Sequence, residues 1–103
     1  MKKLNLTNFN QEVASSNIPC VIKFYKDTCW MCEELKTVYR KLERNFKKDY
    51  KFYTVDDEES EDLGTIFEID GVPSIYVYSE KAGMKEVPFP EERGYTYDYL
   101  YDF

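Results

Sequence analysis

The feature that most limits what this chain can fold into is a strand that leads almost at once into a long helix. Cys20-Val21-Ile22-Lys23-Phe24-Tyr25 is apolar on both faces except at Lys23. Two-sided apolar character of this kind belongs to a central strand covered by helices above and below. A helix is predicted to follow over 29–47, where Leu35, Val38, Tyr39, Leu42 and Phe46 recur at helical spacing and form one core-facing stripe. Glu33 and Glu34 near its start and Lys47 and Lys48 at its end carry the signs that the helix dipole favours.

The remaining elements alternate around this unit. Leu4 and Leu6 predict a short strand, and Asn8 reads as an N-cap, with Gln11 three residues on and Phe9, Val13 and Ala14 along one helical face. Ser15-Ser16-Asn17 ends that helix, and Pro19 turns the chain into the central strand. Residues 50–55 alternate as a strand, and a short helix over 60–67 is expected to bury Leu63, Ile66 and Phe67. Asp70-Gly71-Val72-Pro73 is a turn, 74–78 a strand, 80–83 a hairpin loop and 84–87 its return strand. Pro88 and Pro90 then break the chain before a last helix over 96–103, docked through Tyr97, Leu100 and Tyr101. The order β-α-β-α-β-α-β-β-α, alternating first and ending in a hairpin, predicts an α/β fold: a three-layer α/β/α sandwich around a central mixed sheet. With 103 residues, no repeat and no linker-like stretch, the expectation is one domain over 1–103. Ten Tyr, seven Phe and one Trp provide ample core material, so a disordered chain is excluded.

Composition removes several classes of chemistry. There is no histidine, which excludes serine triads, Cys–His nucleophile pairs and His-ligated metal sites. The net charge of −6 argues against nucleic acid as a partner. Charge is unevenly spread: residues 1–51 hold eleven Lys and Arg against six acids, and residues 52–103 hold three against fourteen. The acidic run Asp56-Asp57-Glu58-Glu59 reads as a solvated loop leading into a helix start, with a docking patch for a basic partner as the alternative. Apolar runs are too short to cross a membrane, and no apolar segment follows Met1-Lys2-Lys3 as a leader would require, so a cytoplasmic protein is expected. Three cysteines in that setting point to chemistry or packing rather than to a structural disulfide framework.

The chemistry lies in Cys29-Trp30-Met31-Cys32, where the central strand gives way to the long helix. Spacing of three residues puts both sulfurs on one side of the first helical turn, close enough to join or part with little backbone movement. The helix start offers unpaired N–H groups and partial positive charge, and such placement lowers a cysteine pKa from about 8.5 to roughly 3.5–7.5. Cys29, at the exposed tip, is then expected to attack a substrate disulfide, and Cys32, one turn inward, to resolve the mixed disulfide. Zinc within the chain lacks ligands, since only Cys20 remains to help. A metal or cluster bridging two chains and an inert packed pair are the alternatives. Cys20 itself reads as packing.

Taken with the strand before it and Val72-Pro73-Ser74 about forty residues after it, the motif resembles the thioredoxin family over nearly the whole chain. Gly83 at the hairpin and Gly94 before the last helix fit the same pattern. The resemblance implies that Pro73 is cis and faces the Cys29–Cys32 pair. It implies as well that Gly71, Val72 and Pro73 receive a substrate segment, the Val72 backbone pairing with it as an added strand. Two departures stand out. Thioredoxins usually carry Gly-Pro between the cysteines, whereas Trp30-Met31 stands here; Trp30 either forms an apolar lip against substrate or folds back over the helix, and Met31 packs beside it. Six residues before the first cysteine the family holds a buried acid, and here that position is Lys23. A buried, neutral Lys23 accepts a proton from Cys32; a charged one stabilises thiolate; a snorkelling one plays no redox part.

These readings predict a thiol–disulfide oxidoreductase that reduces protein disulfides, with Cys29, Cys32 and Lys23 catalytic and Trp30, Met31, Gly71, Val72 and Pro73 binding substrate. It needs no bound cofactor beyond the redox-active Cys29–Cys32 disulfide. Its electrons come from a flavin-dependent disulfide reductase or another dithiol, and it is expected to be a monomer. The alternatives are a glutathione-dependent, glutaredoxin-like reductase, disfavoured by the N-terminal strand–helix extension and by the lack of Gly-Gly after Pro73, and a non-catalytic binding module.

Overall fold

The computed structural model describes residues 1–69, 71–90 and 94–102. Five strands form one sheet: β1 (Lys2–Lys3), β2 (Cys20–Tyr25), β3 (Lys51–Asp56), β4 (Ser74–Ser79) and β5 (Gly83–Val87), in spatial order β1-β3-β2-β4-β5. β1, β3 and β2 run parallel, while β4 is antiparallel to β2 and β5 to β4. Among the described residues the helices are α1 (Leu6–Phe9), which continues as a π-helical segment over Asn10–Ala14, α2 (Trp30–Phe46), α3 (Glu61–Ile66) and α4 (Tyr97–Asp102). The α/β sandwich and its element order are those the sequence predicts.

Strand alternation divides the core in two. Cys20, Ile22 and Phe24 of β2 face one side, where Tyr53, Val55 and Tyr76 of the neighbouring strands meet Phe9 and Val13 of the first helical segment and Leu63 of α3. On the other side Phe52, Ile75 and Val87 meet Leu35, Tyr39 and Leu42 of α2, with Val21, Tyr97, Tyr99 and Leu100 packed around them. β2 is therefore covered on both faces, as its apolar run requires. Tyr39 ties the layers together, because its hydroxyl donates to the carbonyls of Tyr53 at 2.8 Å and Val21 at 3.0 Å.

Three local expectations are corrected and a fourth is extended. The first strand is Lys2–Lys3 rather than a segment centred on Leu4 and Leu6; Leu4 is buried just beyond it, its N–H donating to the Thr54 carbonyl at 2.7 Å, and Leu6 is exposed. The N-cap is Asn5, not Asn8. Asn5 accepts from the Asn8 N–H at 3.0 Å and Asn8 accepts from the Asn5 N–H at 2.9 Å, so a reciprocal capping box starts the helix three residues early. In α3, Ile66 is exposed, whereas Phe67, just past the helix, is partly buried as expected, its ring 5.1 Å from that of Phe9. In α4, Tyr101 docks as expected with its ring 5.4 Å from that of Phe46, though it stays mostly exposed, and Tyr99, not expected to dock, also faces inward, its hydroxyl donating to the Pro88 carbonyl at 2.8 Å. Asp70 of the predicted turn, Glu91, Glu92 and Arg93 of the loop before α4, and Phe103 lie outside the described residues.

The acidic run is a turn and a helix start. Asp56 ends β3, and its buried carboxylate accepts from the Glu58 N–H at 3.0 Å and the Glu59 N–H at 3.3 Å, while Glu61 and Asp62 occupy the first turn of α3. Among the described residues no helix is long and apolar enough to cross a membrane.

Candidate active site

The site forms where β2 ends and α2 begins. Cys29 is the N-cap of α2, with extended φ and ψ of −92° and 112°. Its sulfur accepts the backbone N–H of Cys32 at 3.1 Å, and its carbonyl accepts the first helical N–H, from Glu33, at 3.2 Å. A cysteine thus does what Ser, Thr, Asp or Asn usually does at a helix start. The consequence is chemical: whatever charge this sulfur takes on faces the positive end of a 17-residue helix.

The two thiols differ in access. Cys29 is half-buried, and Cys32, three residues on, is 2% exposed; both are free thiols. Burial, and then the bond to Cys29, push the Cys32 thiol up to about 12, while the Lys26 backbone and the Lys23 charge pull it down. Cys20 is sealed in the core, its thiol donating to the Ile18 carbonyl at 3.6 Å, and has no route to the pair.

Lys23 does not snorkel. Strand alternation turns it toward α2, where it is 5% exposed, with its ammonium 4.9 Å from the Tyr39 ring centre and 5.5 Å from that of Tyr25. Desolvation lowers its pKa to about 8, and the nearby charge of Cys32 is the strongest influence opposing that shift.

The Val72–Pro73 peptide is cis. Pro73 is buried, Val72 half-buried against the core, and Gly71 exposed; the Ser74 hydroxyl donates to the Gly71 carbonyl and pins the turn. Trp30 is 69% exposed, so its ring stands out from the helix rather than lying over it. Beside the cysteines runs a groove of about 470 Å³ between the first turns of α2 and the approach to α4. Trp30, Met31 and Pro73 line it, with Phe89 from the loop that the sequence places at the groove's border, and with Tyr95 and Glu34, which sequence reasoning missed. The Tyr95 hydroxyl donates to the Val87 carbonyl at 2.6 Å, and Phe89 packs edge-on against its ring at 5.1 Å. Gly94, at φ 67°, lets the chain turn close under Phe89, where a Cβ would sit 3.5 Å from the ring. The Pro88, Pro90 and Gly94 breaks were the signal that this segment turns back toward the site. A second apolar cavity, of about 480 Å³, lies between α2 and α4; neither Cys29 nor Cys32 lines either space, and only the first reaches their neighbours Trp30 and Met31. Among the described residues no group of three or more Cys, Asp or Glu side chains is gathered to hold a metal ion.

Comparison with known proteins agrees with this geometry. The family model Thioredoxin matches residues 1–94. Protein disulfide isomerase-like 2-3 of Oryza sativa subsp. japonica is 30% identical over 85% of this chain and 19% of its own length. Thioredoxin of Borreliella burgdorferi is 28% identical over 55% of this chain and 49% of its own length. This chain therefore spans from about a fifth to about half of such relatives. A solved structure of the first two thioredoxin domains of Saccharomyces cerevisiae Eps1p covers 98% of this chain and 38% of its own, with a TM-score of 0.80 and 27% identity.

Proposed function

We propose, for a chain that belongs to the thioredoxin family, that it is a thiol–disulfide oxidoreductase acting on protein disulfides through a mixed disulfide at Cys29. The observation that carries the reading is the Cys32 N–H bond to the Cys29 sulfur, which holds one reachable and one enclosed thiol within a single helical turn beside an apolar groove.

Cys29, as thiolate, attacks one sulfur of a substrate disulfide; the Cys29–substrate bond forms, the substrate bond breaks, and the departing sulfur takes up a proton. Cys32, having lost its proton, attacks the Cys29 sulfur and expels the second substrate thiolate, which is protonated in turn. The substrate gains two electrons and two protons, and the Cys29–Cys32 disulfide records their loss. Another dithiol or a flavin-dependent disulfide reductase returns the electrons. Trp30 and Met31 offer apolar surface to the substrate, and the exposed Gly71 with the Val72 backbone offers an edge to which an extended segment adds. The reading carries with it a monomer, no bound cofactor and a reducing, cytoplasmic setting. Exchange in the isomerising direction is a second reading, supported by the relatives whose names are protein disulfide isomerases.

Cysteine substitution tests this. The wild type should reduce a disulfide-bonded protein in the presence of a dithiol donor, and Cys29→Ser should not. Cys32→Ser should accumulate a covalent adduct through Cys29, visible by mass and released by excess thiol. Inert wild type whose binding survives in Cys29→Ser means a non-catalytic module. Turnover with glutathione as sole donor means a glutaredoxin-like enzyme. Net rearrangement of a mispaired substrate without net reduction means isomerisation.

A further inference from the structure

We propose that the groove beside the cysteine pair selects substrate segments that carry a cationic side chain, arginine above all, next to apolar ones, and that Glu34 is the residue that reads the cation. The proposal rests on the reading that protein disulfides dock in this groove, and deepens it by naming the chemistry of the segment.

One wall of the groove is α2. Trp30, Glu34 and Val38 recur every fourth residue and so form one stripe down the helix, with Met31 and Leu35 beside it. Pro73, Phe89 and residues 94–97 complete the lining. Among the described residues that line this space of about 470 Å³, Glu34 alone carries a charge. It is exposed and forms no ion pair among the described residues, whereas its neighbour Glu33 is engaged by Lys36 at 2.9 Å. A carboxylate thus stands unneutralised on a largely apolar surface.

Such a surface has a defined complement. An apolar side chain fills the groove, and a cation meets the carboxylate where apolar walls weaken the screening by water. Arginine suits the place better than lysine: its fork matches a carboxylate, and its flat guanidinium stacks on aromatic faces such as those of Trp30 and Tyr97, which line the same space. An acidic segment is repelled here and by the net charge of −6. Glu34 follows Cys29 by five residues, about 7 Å along the helix axis. That is roughly the reach of two extended residues, so the cation belongs about two positions from the substrate cysteine.

The test reads binding and turnover separately. Trp30 is the only tryptophan of the chain and lines the groove, so its fluorescence reports occupancy without any chemistry. The probes are short peptides with Ser at the reacting position, Leu beside it, and Arg, Gln or Glu two positions before or after it. In at least one of the two placements the Arg peptide should bind the reduced wild type about three- to fivefold more tightly than the Gln peptide, and the Glu peptide more weakly still. Salt at about 0.5 M should erase most of that difference. Glu34→Gln should remove the Arg preference and Glu34→Lys should turn it toward Glu, with circular dichroism checking the fold of each. Equal affinities for the three peptides, or no Trp30 response to any of them, overturn the proposal. A preference that survives Glu34→Gln also overturns it, since another acid then reads the cation. The same sequences with Cys at the reacting position, joined as disulfide dimers, are then offered for reduction. Arg-selective binding without turnover sinks the oxidoreductase reading alone, and turnover without Arg preference sinks the Glu34 role alone.

Discussion

The backbone N–H of Cys32 donates to the sulfur of Cys29 at 3.1 Å, so the residue that opens the helix is also the more accessible thiol of the pair. Its capping role and its proposed nucleophilic role are separable by substitution. Ser retains an acceptor at the N-cap, and Ala does not. Cys29→Ser should therefore abolish disulfide reduction while leaving the stability of the reduced protein within about 0.5 kcal/mol of wild type. Cys29→Ala should lose the same activity and about 1 kcal/mol of stability as well. Urea denaturation under reducing conditions distinguishes the two; equal stability of Ser and Ala variants would refute the capping role.

Burial of Lys23 makes stability depend on pH in a direction that can be worked out. Its pKa falls from 10.5 to about 8 on folding, so between those values the unfolded chain holds a proton that the folded chain has lost. Stability rises with pH across that window, and below it the cost of the buried charge is fully present. Cys32 runs the opposite way: its pKa rises from 9.0 to about 12, so stability falls as pH climbs between those values. Only from pH 8 to 9 does Lys23 act by itself. Lys23→Met should be roughly 1–2 kcal/mol more stable than wild type at pH 7, after loss of the ring contacts is counted, and the gap should narrow as pH passes 8. Urea denaturation at a series of pH values between 6 and 9 reads it, on the order of one experiment per half unit. A gap that is constant across the series, or that widens upward, contradicts the assignment.

What the sequence reveals and what it conceals follow from which forces act locally. β2, α2 and the cysteine motif are legible because burial writes itself into periodicity: Ile22 and Phe24 on one face, Leu35, Tyr39 and Leu42 on another. The start of α1 is misread because Asn5 and Asn8 are equally good caps in isolation, and only the buried position of Leu4 beside Thr54 decides between them. Ile66 carries the right spacing yet stays exposed, and Tyr99 faces inward unforeseen, because burial is decided by partners outside each helix, as Phe9 decides it for Phe67 and Pro88 for Tyr99. At the site, the pair itself is visible from spacing. Of the groove wall, the loop carrying Phe89 is legible and Tyr95 is not, since its place depends on how the chain turns back after β5. The sequence singles out Lys23, but its burial is a matter of strand register and of the two rings that close over it.

Tyr39 should be sensitive to the loss of one oxygen. Its hydroxyl is wholly enclosed and shared by the carbonyls of Val21 on β2 and Tyr53 on β3, and burial holds the phenol well above its usual range. Phe in its place keeps the ring contact with Phe52 but strips both carbonyls of that donor. Tyr39→Phe should cost about 1–2 kcal/mol in chemical denaturation, because the two carbonyls each lose a buried hydrogen bond. A variant as stable as wild type would mean that the hydroxyl contributes nothing net.

Trp30 is built to be lost without harm to the fold. It is 69% exposed on the first turn of α2, and its ring borders the groove that Phe89, Pro73 and Tyr95 complete. An exposed side chain of this kind adds little to stability, so Trp30→Ala should stay within about 0.5 kcal/mol of wild type. A protein substrate that lays apolar surface along the groove should feel the change, because a large aromatic ring at an interface contributes well beyond its neighbours. KM for a protein disulfide should rise severalfold, with kcat nearly unchanged, since the ring binds ground and transition states alike. A small symmetrical disulfide too short to reach the groove should react at the wild-type rate. If both substrates slow equally, Trp30 acts on the cysteine pair instead of on the substrate, and its place as a binding lip is lost.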